Sequence, residues 1–330
     1  MKNSRLDAVI KLALPVALAV VVGLAASGAD SAPSTGSNKF ETKAKHAILM
    51  DADADLVFFE KDADALVPPA SMSKLMTLAV VFRELRAGHI KLDDQFKVSE
   101  YAWRTGGAPS GSSAMFAPLN STVSVEDLIR GVTVQSANDA AIILAEGISG
   151  SEDAFAKEMN KYAKQIGLTK SHFVNSTGLP ADGHVMTARE LAFLANFLIH
   201  TYPEYYHYFG EKQFQFGKWN FTNRNPLVFD ESLGVDGLKT GFIDEAGYGL
   251  VASAKRGDQR VILVVNGLVT KKEREEEPRK LLEWGFKSFK PYRLFDQGEQ
   301  VSDALVWGGE KHYVPLVGDK NIDIILPVTT

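Results

Sequence analysis

The chain contains no cysteine, which excludes disulfide bonds, thiolate nucleophiles and cysteine-ligated zinc. It also has no excess of basic charge: the formal net charge is −5, so the sequence predicts no nucleic-acid partner. Residues 105–120 are rich in glycine but lack both phosphate-binding patterns, G-x-G-x-x-G and G-x-x-x-x-G-K. The length of 330 residues and the 45% hydrophobic content are typical of a globular protein with one large or two ordinary domains.

Patterns for metal ions and for a serine–histidine hydrolase are also missing. Asp51, Asp53 and Asp55 alternate as in a calcium loop, but the glycine and glutamate that such a loop needs are absent. They are better explained as a turn between two short strands. The histidines show no H-E-x-x-H spacing, and no G-x-S-x-G elbow is present. We therefore expect neither a metal nor a cofactor.

The N-terminus has the layout of a secretory signal peptide. Three basic residues flank the start of an apolar run over residues 12–26, and small residues follow at 27–29. Pro15 interrupts the run, which is shorter than the roughly 20 residues of a membrane span. We predict a signal peptide over 1–29, a flexible polar leader over 30–42, and an exported protein that is periplasmic or otherwise extracytoplasmic.

A serine and a lysine stand at the start of a predicted helix. Apolar residues recur at helical spacing after Pro69 and predict a helix that begins at about Ser71. Ser71 and Lys74 then share one face, about 5–6 Å apart at Cβ. A serine beside free backbone N–H groups and an amine suits a nucleophile with an adjacent base. Taken alone, however, an N-cap serine followed by a surface lysine explains the pair better.

Two further short motifs make a catalytic role for Ser71 and Lys74 the better explanation. Ser136 and Asn138 fall between two predicted helices, where a turn can present both side chains to a cleft; ordinary turn chemistry is the alternative. Residues 239–241 read Lys-Thr-Gly on a predicted edge strand before a β-hairpin, and glycine there permits close approach of a ligand. S-x-x-K, S-x-N and K-T-G in this order are the signature of serine β-lactamases and penicillin-binding proteins.

The sequence resembles the D-alanyl-D-alanine carboxypeptidases among the low-molecular-mass penicillin-binding proteins, over roughly residues 43–290. The resemblance rests on the three motifs and on their surroundings. These surroundings are Pro69-Ala70-Ser71, Leu128-Ile129-Arg130-Gly131, Asn138-Asp139-Ala140, Asn223-Arg224-Asn225, Val235-Asp236-Gly237-Leu238-Lys239-Thr240-Gly241 and Arg274.

The resemblance implies an α+β fold of the β-lactamase/transpeptidase type. An antiparallel sheet with covering helices and an all-helical subdomain would form a catalytic domain over 43–286, with Ser71 at their junction. Short strand-like pieces over 287–330 predict the start of a β-rich domain that is apparently truncated. In the family an amphipathic helix after this domain holds the enzyme on the outer face of the cytoplasmic membrane, and the present chain stops before such a helix.

The resemblance also implies a reaction. Ser71 would attack the D-Ala-D-Ala amide of a peptidoglycan stem peptide and form an acyl-enzyme. Lys74 can act as the base only if it is neutral, which requires burial and the nearby Lys239 to lower its pKa. Ser136 would relay the proton to the leaving nitrogen. These three residues, Ser71, Lys74 and Ser136, are the predicted catalytic residues.

The remaining motif residues are predicted to bind the substrate. Asn138 would orient its amide, Lys239 would supply positive potential, and Thr240 and Arg274 would bind its terminal carboxylate. The backbone N–H groups of Ser71 and Phe242 would form the oxyanion hole. The predicted substrate-binding residues are Asn138, Lys239, Thr240, Gly241, Phe242 and Arg274.

Two differences from related sequences affect the expected reaction with β-lactams. Some family members carry a histidine where this chain has Phe242, and β-lactamases have an aspartate where this chain has Ala137. Residues 160–190 contain no glutamate in the pattern that positions deacylating water in class A β-lactamases. We therefore expect slow deacylation and inhibition by penicillin. The alternatives are a β-lactamase, a DD-endopeptidase, and a non-catalytic penicillin-binding sensor or scaffold.

Overall fold

The structure, a computed structural model, describes residues 40–328. The predicted signal peptide and nearly all of the predicted leader lie outside the described residues. The strands are β1 (His46–Asp51), β2 (Val57–Lys61), β3 (Gln95–Lys97), β4 (Thr122–Ser124), β5 (Gln213–Phe216), β6 (Trp219–Thr222), β7 (Val235–Ile243), β8 (Gly247–Arg256), β9 (Gln259–Leu268), β10 (Phe289–Phe295), β11 (Gln300–Leu305), β12 (Tyr313–Val317) and β13 (Ile322–Pro327).

Five consecutive helices, α3 to α7, lie between β4 and β5, and short 3₁₀ turns connect several of the elements. The helices are α1 (Lys74–Arg86), α2 (Glu100–Thr105), α3 (Val125–Arg130), α4 (Asn138–Ser149), α5 (Glu152–Gln165), α6 (Ala188–Thr201), α7 (Pro203–Tyr206) and α8 (Lys271–Ser288).

Five strands form an antiparallel sheet in the order β2-β1-β9-β8-β7. The predicted hairpin is confirmed as β8 and β9, whose register ends at the Arg256–Gln259 pair. Successive side chains of β9 point to opposite faces of the sheet. Val261, Leu263 and Val265 pack with α8, whereas Ile262 and Val264 join the core that contains α6. Both faces of the sheet are therefore covered, which explains the nearly continuous apolar sequence of this strand.

The core that contains α6 is shared with a helical region. Its central helix, α1, packs against α4, α5 and α6, and most of its residues are buried. The predicted helix at Ser71 is confirmed, with a 3₁₀ turn over Ala70–Ser73 leading into α1. β7 packs on this turn, so Ser71 lies where the sheet meets the helices. The predicted α+β fold of the transpeptidase type is confirmed.

The structure adds features that the sequence did not predict. The predicted helix before Ser136 is an α-helix only as far as Arg130. It continues as a wider π-helical turn over Gly131–Gln135. β5 and β6 form a separate two-stranded hairpin. After α8 the chain forms the predicted short strands, paired as β10–β13 and β11–β12. Within residues 40–328 no helix combines the length and the apolar character needed to cross a membrane.

Candidate active site

Ser71 and Lys74 are brought together by the turn that begins α1. Lys74 Nζ lies 2.9 Å from Ser71 Oγ. The same amine donates to Asn138 Oδ1 at 2.7 Å and to the backbone carbonyl of Thr177. The side chain of Lys74 is fully buried, and its amine therefore has three fixed oxygen partners on three different segments.

Burial lowers the pKa of Lys74 to about 7, because the charged form loses its hydration. The carboxylates of Glu152 and Asp139 act in the opposite direction and favour the charged amine. We expected Lys239 to contribute to the lowered pKa. Instead, the charge of Lys74 is one of the causes that lower the pKa of Lys239, after burial. Near neutral pH a substantial fraction of Lys74 is thus a neutral amine, the form that accepts a proton.

Ser136 and Lys239 form a second hydroxyl–amine pair. Lys239 Nζ donates to Ser136 Oγ at 2.6 Å and to the carbonyl of Thr240 at 3.0 Å. Ser136 follows the π-helical turn in the left-handed conformation, with φ of 62°. This backbone is costly for a residue with a Cβ, and such residues concentrate at functional sites. The turn directs the hydroxyl towards the amine, which lies on the edge strand β7.

Asn138 connects Lys74 with the loop at Ser112. Its Oδ1 accepts from Lys74, and its Nδ2 donates to Ser112 Oγ at 2.9 Å. The next residue, Asp139, is buried and accepts backbone N–H bonds from Met115 and Ala117. Asn138 and Asp139 together fix the segment over 112–117 against the start of α4.

These groups lie at a cleft of about 480 Å³. Lys74, Ser136 and Lys239 are buried and do not line it, whereas Ser71 and the buried Asn138 do. The lining residues are Ser71, Gly111, Ser112, Ser113, Ala114, Phe116, Gln135, Asn138, Gly178, Leu179, Arg224, Phe242 and Ile243.

β7 forms one side of this region and is the edge of its sheet. Thr240 is buried, whereas Phe242 is 45% exposed and its ring lies 4.2 Å from that of Tyr248. A Cβ on Gly241 would come within 3.0 Å of Met72 Cγ and of the Pro69 carbonyl. A side chain at position 241 would therefore require β7 or the Ser71 turn to shift by a few tenths of an ångström. An edge strand has unpaired N–H groups, which is what an oxyanion hole at Phe242 requires.

The structure separates the two arginines near the site. Arg274, predicted to bind the carboxylate, is buried with its guanidinium carbon 5.3 Å from the centre of the Tyr248 ring, and it does not line the cleft. Arg224 does line the cleft, and its Nε donates to Gln135 Oε1 at 3.2 Å. Burial lowers the pKa of both guanidinium groups. The Asn-Arg-Asn motif was part of the family resemblance, but it gave Arg224 no role.

The loop over 175–178 contributes a group that the sequence did not reveal. Asn175 Oδ1 accepts from the backbone N–H groups of Thr177 and Gly178 and thereby orients the Thr177 carbonyl. Gly178 has φ of +76°, and a Cβ there would lie 2.0 Å from the carbonyl oxygen of Ala70. Only glycine fits this contact between the loop and the Ser71 turn.

Metal chemistry has no support in the described part of the chain. Between residues 40 and 328 no group of three or more acidic or histidine side chains is placed to hold a metal ion. The site is built instead from hydroxyl, amine and amide groups.

The profile of a protein family described as D-alanyl-D-alanine carboxypeptidase matches residues 31–270. This match covers more than half of the chain. The chain belongs to the D-alanyl-D-alanine carboxypeptidase family. It is accordingly a serine-type carboxypeptidase of the penicillin-binding protein type, as the sequence predicted.

Individual carboxypeptidases and penicillin-binding proteins agree with this assignment. The chain is 44% identical to the carboxypeptidase DacC of Escherichia coli over 281 residues, which cover 85% of this chain and 70% of DacC. Penicillin binding protein 5 from Haemophilus influenzae is similar in structure, with a TM-score of 0.82 and 39% identity over 88% of this chain and 85% of that one.

A second similar structure contains a ligand. Penicillin-Binding Protein D2 from Listeria monocytogenes in the ampicillin-bound form has a TM-score of 0.65 and 33% identity, over 76% of this chain and 99% of that one. The fold that surrounds Ser71 in this carboxypeptidase is therefore one that accommodates a β-lactam in a relative.

Proposed function

We propose that the protein removes the terminal D-alanine from peptidoglycan stem peptides that end in D-Ala-D-Ala, through an acyl-enzyme on Ser71. The observation that carries this proposal is the Lys74 amine, which is buried, has a pKa of about 7 and lies 2.9 Å from Ser71 Oγ. A neutral amine at this distance accepts the hydroxyl proton as the oxygen attacks the amide carbonyl. Family membership supports the substrate class.

The attack forms a tetrahedral intermediate with a negatively charged oxygen. The backbone N–H groups of Ser71 and Phe242 are proposed to stabilise this oxyanion, and one such donor is worth about 2.7–4 kcal/mol. Asn138 is proposed to orient the substrate amide, although its own amide is held by Lys74 and Ser112 in the free protein. A substrate therefore has to share or replace one of these bonds.

Collapse of the intermediate breaks the C–N bond and requires a proton on the leaving nitrogen. Ser136 is proposed to relay to this nitrogen the proton that Lys74 took from Ser71, and the bond from Lys239 Nζ holds the Ser136 hydroxyl in place. D-alanine then leaves, and an ester between Ser71 and the shortened stem peptide remains. Water cleaves this ester and restores the Ser71 hydroxyl.

The terminal carboxylate of the substrate requires positive charge. Thr240 and Lys239 are proposed to receive it at β7, and Arg224 is the arginine on the cleft surface. Arg274 is proposed to add positive potential from behind Tyr248. A bound carboxylate favours the charged form of Lys239, so substrate binding raises the lowered pKa of this amine.

The same serine is proposed to react with β-lactams and to release them slowly. Ampicillin occupies a related structure, and the sequence lacks the glutamate pattern of rapid deacylation. We also propose that the mature enzyme acts in the periplasm or another extracytoplasmic compartment. Any attachment to the outer face of the cytoplasmic membrane is proposed to depend on a C-terminal amphipathic helix of the kind that the family resemblance implies.

The decisive experiment gives the protein a stem peptide ending in D-Ala-D-Ala and, separately, a fluorescent penicillin. We expect free D-alanine and a long-lived label, and both are lost in Ser71→Ala without loss of the fold. Ser121→Ala, on a turn outside the cleft, is the matched control and keeps both. Rapid penicillin turnover without D-alanine would indicate a β-lactamase, cleavage only of cross-linked dimers an endopeptidase, and a label without hydrolysis a sensor.

A further inference from the structure

A buried carboxylate bonds to the loop that also holds the Lys74 amine, and the reaction described above assigns it no role. Glu152, the first residue of α5, is 7% exposed. Its Oε1 accepts from the backbone N–H of Ser176 at 2.9 Å and from Ser176 Oγ at 2.5 Å, and its Oε2 accepts from the Tyr101 hydroxyl at 2.8 Å. The helix is already capped by Ser151, so capping does not explain a buried charge.

The bonds of Glu152 end on the loop that holds the catalytic amine. Ser176 is fixed on one side by Glu152 and on the other by Thr77 of α1, whose hydroxyl donates to the Ser176 carbonyl at 2.7 Å. The next carbonyl along the chain, that of Thr177, accepts from Lys74 Nζ. Hydrogen bonds to a carboxylate are stronger than neutral ones, so Glu152 is the strongest anchor of this loop.

We propose that Glu152 is a positioning residue for the acylation step: it fixes residues 176 and 177 so that the Thr177 carbonyl holds the Lys74 amine against Ser71. The inference rests on the proposed function, because it assigns Lys74 the role of the base. Glu152 touches neither the substrate cleft nor Ser71. It acts on Lys74 through the position of the loop and through its own negative charge.

The charge of Glu152 is not neutralised by a cation in the described part of the chain. It makes no ion pair within 4 Å there, and its charge acts on the pKa of Tyr101 on α2, of Glu146 on α4 and of Lys74 on α1. Burial and the bond to Glu152 raise the pKa of Tyr101 to about 12, so the phenol remains a donor. The Glu152 charge is therefore compensated by hydrogen bonds alone in the described part of the chain.

Lys74 is surrounded by four charged or titratable groups from four segments. Glu152 and Asp139 favour its protonated form, and the charge of Lys74 in turn adds to the effect of burial in lowering the pKa of Lys239 and of His184. Removal of the Glu152 charge alone should thus make Lys74 easier to deprotonate. Removal of the whole side chain should in addition release the loop.

Two variants separate the charge from the anchor. Glu152→Gln keeps an oxygen for Ser176 and loses the charge, so the acid limb of the pH profile of acylation by fluorescent penicillin should move to lower pH. A shift of roughly 0.3–0.5 unit corresponds to about a two- to threefold faster acylation on that limb. Glu152→Ala should slow acylation at least about tenfold at every pH with unchanged initial binding, which is the loss of positioning.

Glu146→Gln is the matched control, since Glu146 is a half-buried carboxylate of α4 that accepts from Ser99 Oγ and does not touch the loop. The pH profile of acylation of Glu146→Gln should equal that of the wild type. Ser176→Ala replaces Glu152→Ala if the latter does not fold, and it should slow acylation less because the backbone N–H bond remains. Wild-type rates and profile in Glu152→Ala, or equal shifts in the two glutamine variants, would overturn the proposal.

A measurement independent of activity distinguishes this proposal from the proposed function. The pKa of Lys74 is read by NMR from its labelled ε-carbon in the full chain, in the wild type and in Glu152→Gln. A lower pKa in the variant supports the role of Glu152 even if the protein releases no D-alanine. An unchanged pKa together with an unchanged Lys74 environment contradicts it even if the enzyme is active.

Discussion

Lys239 Nζ and Ser136 Oγ lie 2.6 Å apart, although 103 residues separate them in the chain. The amine comes from the edge strand of the sheet, and the hydroxyl comes from the turn that precedes α4. This bond therefore joins the sheet to the helical region directly beside the cleft. Its two partners are the groups to which we assign proton delivery and positive potential.

Loss of the Ser136 hydroxyl should slow the release of D-alanine by about 10²-fold or more, the usual contribution of a positioned proton donor. Ser136→Ala keeps a Cβ in the left-handed backbone, whereas Ser136→Gly relieves it at a gain of about 1 kcal/mol or more in stability. Both variants should show the same loss of kcat, measured as free D-alanine, and differ only in Tm. Wild-type kcat in Ser136→Gly would disprove the role of the hydroxyl.

The lowered pKa of Lys74 predicts the pH dependence of acylation. The amine is the base only when neutral, so kcat/KM should rise with pH through about 7 and become constant above this range. At pH 6 it should be about tenfold below the plateau. Lys74→Arg provides the control, because a guanidinium fits the charge but does not deprotonate, and acylation should fail at every pH. A flat profile between pH 6 and 8 would argue against Lys74.

Two glycines with nearly equal backbone angles test the contact between the 175–178 loop and the Ser71 turn. Gly178 and Gly183 have φ of +76° and +79°, but a Cβ at Gly183 has no neighbour closer than 3.9 Å. Gly183→Ala should cost about 1–2 kcal/mol for the backbone alone. Gly178→Ala should lower Tm further and slow acylation, since its methyl displaces the Ala70 carbonyl. Equal effects of the two variants would show that this contact is unimportant.

The positions of the two arginines predict different effects on substrate binding. Arg224→Gln should raise KM for a peptide ending in D-Ala-D-Ala by about tenfold, and Arg274→Gln should raise it less, because Arg274 does not line the cleft. A peptide with a terminal amide in place of the carboxylate is the control, and neither variant should change its KM. A larger effect of Arg274→Gln on KM would support the prediction made from the sequence that Arg274 binds the carboxylate.

The elements that the sequence predicted correctly have strong local signals. The helix after Ser71 has apolar residues at a spacing of three and four, and the hairpin of β8 and β9 has two apolar runs separated by a short turn. The three motifs place five side chains, Ser71, Lys74, Ser136, Asn138 and Lys239, and the structure brings all five together.

The groups that the sequence did not reveal depend on contacts between distant segments. The Thr177 carbonyl is part of the backbone, and any residue can supply such a group. Glu152 looks in the sequence like an ordinary acidic residue in the first turn of a helix. Nothing in the sequence around Arg274 shows that Tyr248 lies beside its guanidinium group, and nothing around Arg224 shows that this arginine lines the cleft. Such relationships need the folded chain.

The left-handed turn at Ser136, the Ser71 turn and the edge strand β7 meet only when the helical region and the sheet have assembled. A nascent or partly folded chain has the Ser71 hydroxyl but neither a dehydrated Lys74 nor the opposing Lys239. Reactivity towards penicillin thus develops at the end of folding. The fraction of molecules that becomes labelled is consequently a count of completely folded enzyme, and it can report on maturation after export.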